Sequence, residues 1–308
     1  MSNMQSLIAL IAKGMAMGAA DVVPGVSGGT IAFITGIYDR LLNALKQVPA
    51  GIKALFSEGI KASWVTVDGT FLLCVFGGVL TSILSFAHLI TYLLTTYPEM
   101  LWSFFFGLIL VSGFHMLKQV SHWNAGTGLA LVVGIIFSVW VGVLTPNPLT
   151  PDPVTFFFAG AVAICAMILP GISGSFILLM LGLYTAVMEA IKGFDIVTLA
   201  IFGSGCLLGL LTFSHVLSWL LKKYHNLAIS LLTGLMIGAL GKVWPWKETL
   251  ETRINSSGEE VPLLQSNLSP FAYETVTGQP AFFMESMGLM LAAIVLVLVI
   301  EWLGKKSR

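Results

Sequence analysis

Charge is what this sequence has least of. Asp, Glu, Lys and Arg make up 10% of its 308 residues and cancel to a formal net charge of zero, where a soluble domain carries about 25%. That removes any electrostatic case for nucleic acid or an acidic partner. Cysteine is also scarce. Cys74, Cys165 and Cys206 lie far apart inside apolar runs, with no Cys-x-x-Cys and no Cys/His ligand spacing. A disulfide framework and a metal site are therefore not expected, and buried free thiols are. No Walker-type loop occurs and no nucleophile–base pair stands out, so neither an enzyme nor a cofactor is indicated.

Apolar residues, in contrast, reach 56%, with a mean hydropathy of +0.92. Gly (32) and Pro (12) are plentiful, and membrane helices tolerate both better than soluble ones do. The expectation is an all-α polytopic membrane protein. Leu7–Ala20 has the look of a signal peptide, but Met1–Ser6 has no Lys or Arg and Lys13 interrupts the run, so it is read as retained structure.

A spanning helix needs roughly 20 mostly apolar residues. Six stretches meet or approach that length: 71–95, 101–118, 128–145, 197–221, 227–244 and 281–303. Two further apolar regions are broken. Leu7–Leu45 is interrupted by Asp21-Val-Val-Pro-Gly-Val-Ser-Gly-Gly-Thr30, and Val154–Ile191 by Leu169-Pro-Gly-Ile-Ser-Gly-Ser175. Each suits a re-entrant helical hairpin, or two short full spans.

The broken regions match each other. Pro24, Gly25, Ser27, Gly28, Gly36, Tyr38 and Lys46 recur 146 positions later as Pro170, Gly171, Ser173, Gly174, Gly182, Tyr184 and Lys192. Upstream, Gly14 and Ala20 match Gly160 and Ala166; downstream, Gly78, His88 and Gly107 match Gly205, His215 and Gly234 at an offset of 127. One membrane domain, 1–308, is thus expected to hold two repeats, 5–145 and 152–303, each a broken pair plus three spans. Three is odd, and so is five, so the second half enters from the opposite side: an inverted-topology repeat. Loop cations agree. Arg40, Lys46, Lys53, Lys61, Lys118, Lys222, Lys223, Lys305, Lys306 and Arg308 fall on the side of the N-terminus, against Lys192, Lys242, Lys247 and Arg253 on the other. Both termini are then cytoplasmic, and Asn147–Pro153 and Lys247–Pro280 are extracytoplasmic loops.

The paired breaks carry the most chemistry. Pro breaks the helix before it, Gly opens backbone angles closed to other residues, and Ser27 and Ser173 suit the N-cap of a following helix. Two half-helix ends near the midplane expose N–H groups to an anion, with phosphate a good fit. The alternative is a pair of helix–helix turns with close Gly packing. Candidate phosphate-binding residues are Pro24, Gly25, Ser27, Gly28, Gly29, Thr30, Arg40, Pro170, Gly171, Ser173, Gly174 and Ser175. Ionisable groups at depth are costly and usually functional, which makes Asp21, Lys13 and Glu189 candidates for coupling or charge. For Arg40 and Glu189 the other reading is interfacial snorkelling. His88 and His215 read as interhelical hydrogen bonds or as a proton relay. Tyr38, Tyr184, Trp102, Trp219, Trp244 and Trp302 read as interfacial anchors.

Lys13-Gly-Met-Ala-Met-Gly-Ala-Ala-Asp-Val-Val-Pro-Gly-Val-Ser-Gly-Gly-Thr30 followed by Gly36-Ile-Tyr38 closely resembles the N-terminal signature of a bacterial membrane family. Leu169-Pro-Gly-Ile-Ser-Gly-Ser175 with Gly182-Leu-Tyr184 resembles its second signature. The family is the polyprenyl-phosphate (undecaprenyl-phosphate) transporters, and the resemblance covers essentially the whole chain. It implies a translocase in the bacterial cytoplasmic membrane, returning undecaprenyl phosphate from the outer to the cytoplasmic leaflet for peptidoglycan and other envelope polymers. The partner is then a polyprenyl-phosphate lipid. Coupling to a proton or other ion gradient, and an oligomer, are left open. Two other readings stand beside it: a secondary transporter for a small soluble anion, and a non-transporting scaffold for envelope assembly.

Overall fold

The computed structural model describes residues 3–22, 26–143, 149–254 and 260–306. In the first half, α1 (Asn3–Val22) leads to the first break, followed by α2 (Gly28–Ile34) and α3 (Tyr38–Lys46). α4 (Val48–Ser57) and α5 (Ile60–Thr66) fill the linker, and α6 (Gly69–Thr96), α7 (Pro98–Leu117) and α8 (Ala125–Val143) are the long helices. The second half runs through α9 (Pro153–Ile168), α10 (Gly174–Met180), α11 (Tyr184–Lys192), α12 (Ile196–Lys223) and α13 (His225–Gly238), with a 3-10 turn at Ala239–Gly241. It then adds the strands β1 (Lys247–Ile254) and β2 (Glu260–Asn267), α14 (Pro270–Thr277) and α15 (Phe283–Lys306).

Among the described residues, α6, α7, α8 and α12 are long and apolar enough to cross a membrane. A fifth span is possible if α10 and α11, bent by 111° at their junction, count as one, and α13 and α15 carry shorter apolar stretches. The chain is a multi-pass membrane protein whose apolar segments are helical, because lipid leaves the backbone no other partners.

The two halves repeat in local detail. Shifting α2 and α3 by 146 residues lands on α10 and α11, and shifting α6 by 127 lands on α12, end to end. After α2, the Thr35, Gly36 and Ile37 N–H groups bond the Ile31, Phe33 and Ala32 carbonyls; after α10, Leu181, Gly182 and Leu183 bond Ile177, Leu179 and Leu178 in the same pattern. Gly36 and Gly182 both sit at φ +71°, a left-handed conformation that costs glycine nothing and turns the chain between the two short helices.

Close packing is also repeated. A Cβ on Gly14 would collide with the Val75 carbonyl and one on Gly78 with the Ile11 carbonyl, which seats α1 on α6. The matched Gly160 and Gly205 do the same against Phe202 and Phe157, seating α9 on α12. Small residues let backbones approach where lipid gives no hydrophobic drive between helices. The third long helices cross over. α8 packs on α13 through Gly134 and Gly234, and α15 packs on α7 through Gly107, so each half's last helix rests on the other half.

Outside the spans, 247–254 and 260–277 form strands and a short helix where the sequence suggests a loop. β1 and β2 pair antiparallel; Pro262 and the lack of clean alternation hide this hairpin from periodicity. Trp246 is buried and donates to the Ala281 carbonyl at 2.8 Å, and Trp244 donates to the Leu268 carbonyl at 2.8 Å. Tyr273 gives its hydroxyl proton to the buried Glu99 on α7. Burial and that carboxylate hold the Tyr273 hydroxyl well above the usual phenol range.

Candidate functional site

The two breaks meet. Ser27 donates its hydroxyl to the Met167 carbonyl at 3.1 Å, and its oxygen accepts from the Gly29 N–H at 3.1 Å as the N-cap of α2. Thr30 Oγ1 accepts the Gly171 N–H at 2.9 Å, and the Tyr38 hydroxyl donates to the Ile168 carbonyl at 2.9 Å. Ser27, Thr30 and Tyr38 are all buried, so these bonds form away from competing water. Tyr38 is thus a cross-link between the halves and not an interfacial anchor. Gly29 is required by the approach itself, because a Cβ there would stand 2.8 Å from both the Met167 and Ile168 carbonyls. In the second break, Leu169 is extended before the buried Pro170, as proline demands, and Gly171 adopts φ +84°. Pro24 and Gly25 lie outside the described residues.

The breaks are unlike in what they leave free. At the first, Asp21 Oδ1 accepts the Gly28 N–H at 2.6 Å and Ser27 takes that of Gly29. The position matching Asp21 in the second half is Met167, which cannot accept in this way. There Ser173 makes no cap bond; its hydroxyl pairs with that of Ser175 at 2.8 Å on an exposed surface. The Gly174 and Ser175 N–H groups meet no acceptor among the described residues. α2 and α10 are only seven residues each, so little macrodipole accumulates at either end.

The remaining candidates are dispersed. Lys13 donates to the Thr35 carbonyl at 2.7 Å, tying α1 to the end of α2. Arg40 is exposed and forked onto Asp68 at 2.6 and 3.1 Å, with its guanidinium 4.4 Å over Phe71; to reach a phosphate it would have to leave that carboxylate. Glu189 is exposed. His215 is exposed and meets the Leu211 carbonyl of its own helix at 2.8 Å, so its bond is not interhelical. The side chain of His88 lies outside the described residues.

Sequence reasoning placed Lys242 and Lys247 among loop charges. In the structure Lys242 Nζ sits 3.1 Å from the centre of the Phe176 ring, on the short helix of the second break. Lys247 Nζ sits 3.9 Å from the Trp102 ring and donates to the Lys242 carbonyl at 2.6 Å. Burial pushes the Lys247 ammonium down to about 7. A signal was present: two of the four cations on that side fall within six residues, interleaved with Trp244 and Trp246.

These features can be set beside known proteins. The model of the undecaprenyl phosphate translocase-like family matches residues 17–261, which include both breaks. The chain belongs to that family. It is 54% identical over 295 residues to a polyprenyl-phosphate transporter of Vibrio cholerae, covering 96% of each chain. It is 32% identical over 258 residues to a polyprenyl-phosphate transporter of Staphylococcus aureus, covering 76% of this chain and 85% of that one. No solved structure matches. The family relatives are named as transporters.

Proposed function

We propose that the chain moves a polyprenyl phosphate between leaflets, returning undecaprenyl phosphate from the outer to the inner face of the bacterial cytoplasmic membrane for reuse in envelope polymers such as peptidoglycan. The observation that carries this reading is the junction of the two breaks, in a chain whose relatives are named polyprenyl-phosphate transporters. A phosphate is costly to take out of water unless donors replace it, whereas an isoprenoid tail is at home in lipid. A transporter of such a molecule therefore has to shelter only the head. The repeats insert in opposite orientations, with both termini cytoplasmic, so that one break serves each leaflet and the head crosses where they touch.

Asp21 fits this scheme as an internal stand-in for the anion. Its carboxylate holds the Gly28 N–H, and a proton on it would free that donor for phosphate. This offers one route to coupling with a proton gradient.

The test is leaflet exchange of undecaprenyl phosphate in liposomes, wild type against the double variant Ser27→Ala/Ser173→Ala. Fast exchange by wild type and its loss in the variant support both lipid and site. Exchange by both keeps the lipid and rejects the break hydroxyls. No exchange by wild type, even with an imposed proton gradient, favours the soluble-anion reading.

A further inference from the structure

We propose that Lys242 and Lys247 form the phosphate-docking site for the carrier at the second break, on the side from which the outer leaflet is served; this rests on the lipid-phosphate reading above. Two partly buried lysines lie close together here, the Lys247 ammonium bonded to the Lys242 backbone carbonyl at 2.6 Å. Among the described residues the one ion pair is Arg40–Asp68, and no carboxylate lies within 4 Å of either lysine. The acidic side chain that α7 carries one turn before Trp102 is Glu99, and it is turned to the Tyr273 hydroxyl. Like charges brought together out of water repel, and the site offers no internal neutralisation. A bound anion would hold both lysines in their charged form.

The surroundings fit a phosphomonoester. The Lys242 ammonium rests on the face of Phe176, and no acceptor meets its three donors among the described residues. Phe176 follows Ser175 directly, whose hydroxyl is paired only with that of Ser173 and is exposed. Lysine binds phosphate as a point charge with freely turning donors, and the Ser173 and Ser175 hydroxyls precede Phe176 in the same segment. Aromatic faces hold both ammonium groups without neutralising them. The first break has the opposite character, since Asp21 already fills it with a negative charge.

The experiment measures acylation of Lys242 and Lys247 by an amine-reactive mass tag, in full-length wild-type protein in nanodiscs. The probes are undecaprenyl phosphate, the same lipid alcohol without phosphate, and inorganic phosphate. Protection of both lysines by undecaprenyl phosphate and not by the alcohol is expected. In parallel, Lys242→Gln and Lys247→Gln should each weaken undecaprenyl-phosphate binding by about tenfold or more, the size of a lost charge-assisted bond, while Lys242→Arg retains it. If wild type binds undecaprenyl phosphate but neither lysine is protected, the docking site is wrong and the lipid reading stands. If inorganic phosphate protects as well as the lipid does, the site is for a soluble anion. If wild type binds no phosphate compound, both readings fall together.

Discussion

Thr30 and Asp21 show how far single residues differ from their places in a motif. Thr30 is fully buried and accepts the Gly171 N–H. Thr30→Val keeps the shape and removes the acceptor, leaving a buried N–H unpaired at a cost of about 1–3 kcal/mol. The expected outcome is a lower melting temperature of the purified protein together with slower lipid exchange; an unchanged melting temperature would mean the bond contributes nothing. Asp21→Asn keeps an acceptor for Gly28 but removes the charge. Exchange by this variant should no longer respond to an imposed pH gradient, whereas a response equal to wild type would take coupling away from Asp21. The sequence marked both residues as candidates, because a Pro-Gly-x-Ser-Gly break and an acid at depth are visible without a structure. It did not separate Ser27 from Ser173. Their unequal use follows from Asp21 standing opposite Met167 in the repeat, and from contacts 140 residues apart that local pattern does not encode. Lys242 and Lys247 were hidden for a related reason: a lysine at a span end is an anchor until the packing shows what it lacks.

At the scale of elements, glycine decides which helices touch. Gly29→Ala would push the breaks apart against two carbonyls at 2.8 Å, where overpacking costs about 1–3 kcal/mol. Gly205→Ala would collide with the Phe157 carbonyl, while Gly203→Ala, two residues earlier on α12, meets nothing within 4 Å. Thermal melts in detergent should show losses for Gly29→Ala and Gly205→Ala and none for Gly203→Ala; equal behaviour of the α12 pair would contradict glycine-mediated contact. The long helices were legible from hydropathy, and the short ones from the matched breaks. The linker helices α4 and α5 were not, because at ten and seven residues each is too short to separate from a loop by periodicity. Nor was the exchange of α8 and α15 between halves, since helices that are apolar around most of their surface do not announce a partner.

For the whole molecule, helix ends and turns match at the 146- and 127-residue offsets, and orientation in a membrane is a matter of topology. Cysteines introduced at the exposed Glu58 and Thr249, in a background lacking Cys74, Cys165 and Cys206, separate the possibilities. A membrane-impermeant maleimide applied to intact cells should label position 249 and not 58; the reverse would invert the sidedness, and labelling of both or neither would break the inverted arrangement. The most direct measurement follows the lipid itself. Proteoliposomes carrying undecaprenyl phosphate in one leaflet are sampled over time for its appearance in the other, with the phosphate-free alcohol and entrapped inorganic phosphate as comparisons. Accelerated movement of undecaprenyl phosphate alone, abolished by Gly29→Ala, is expected if the head crosses at the joined breaks. Movement of inorganic phosphate in its place, or none of the lipid with a proton gradient imposed in either direction, would contradict it.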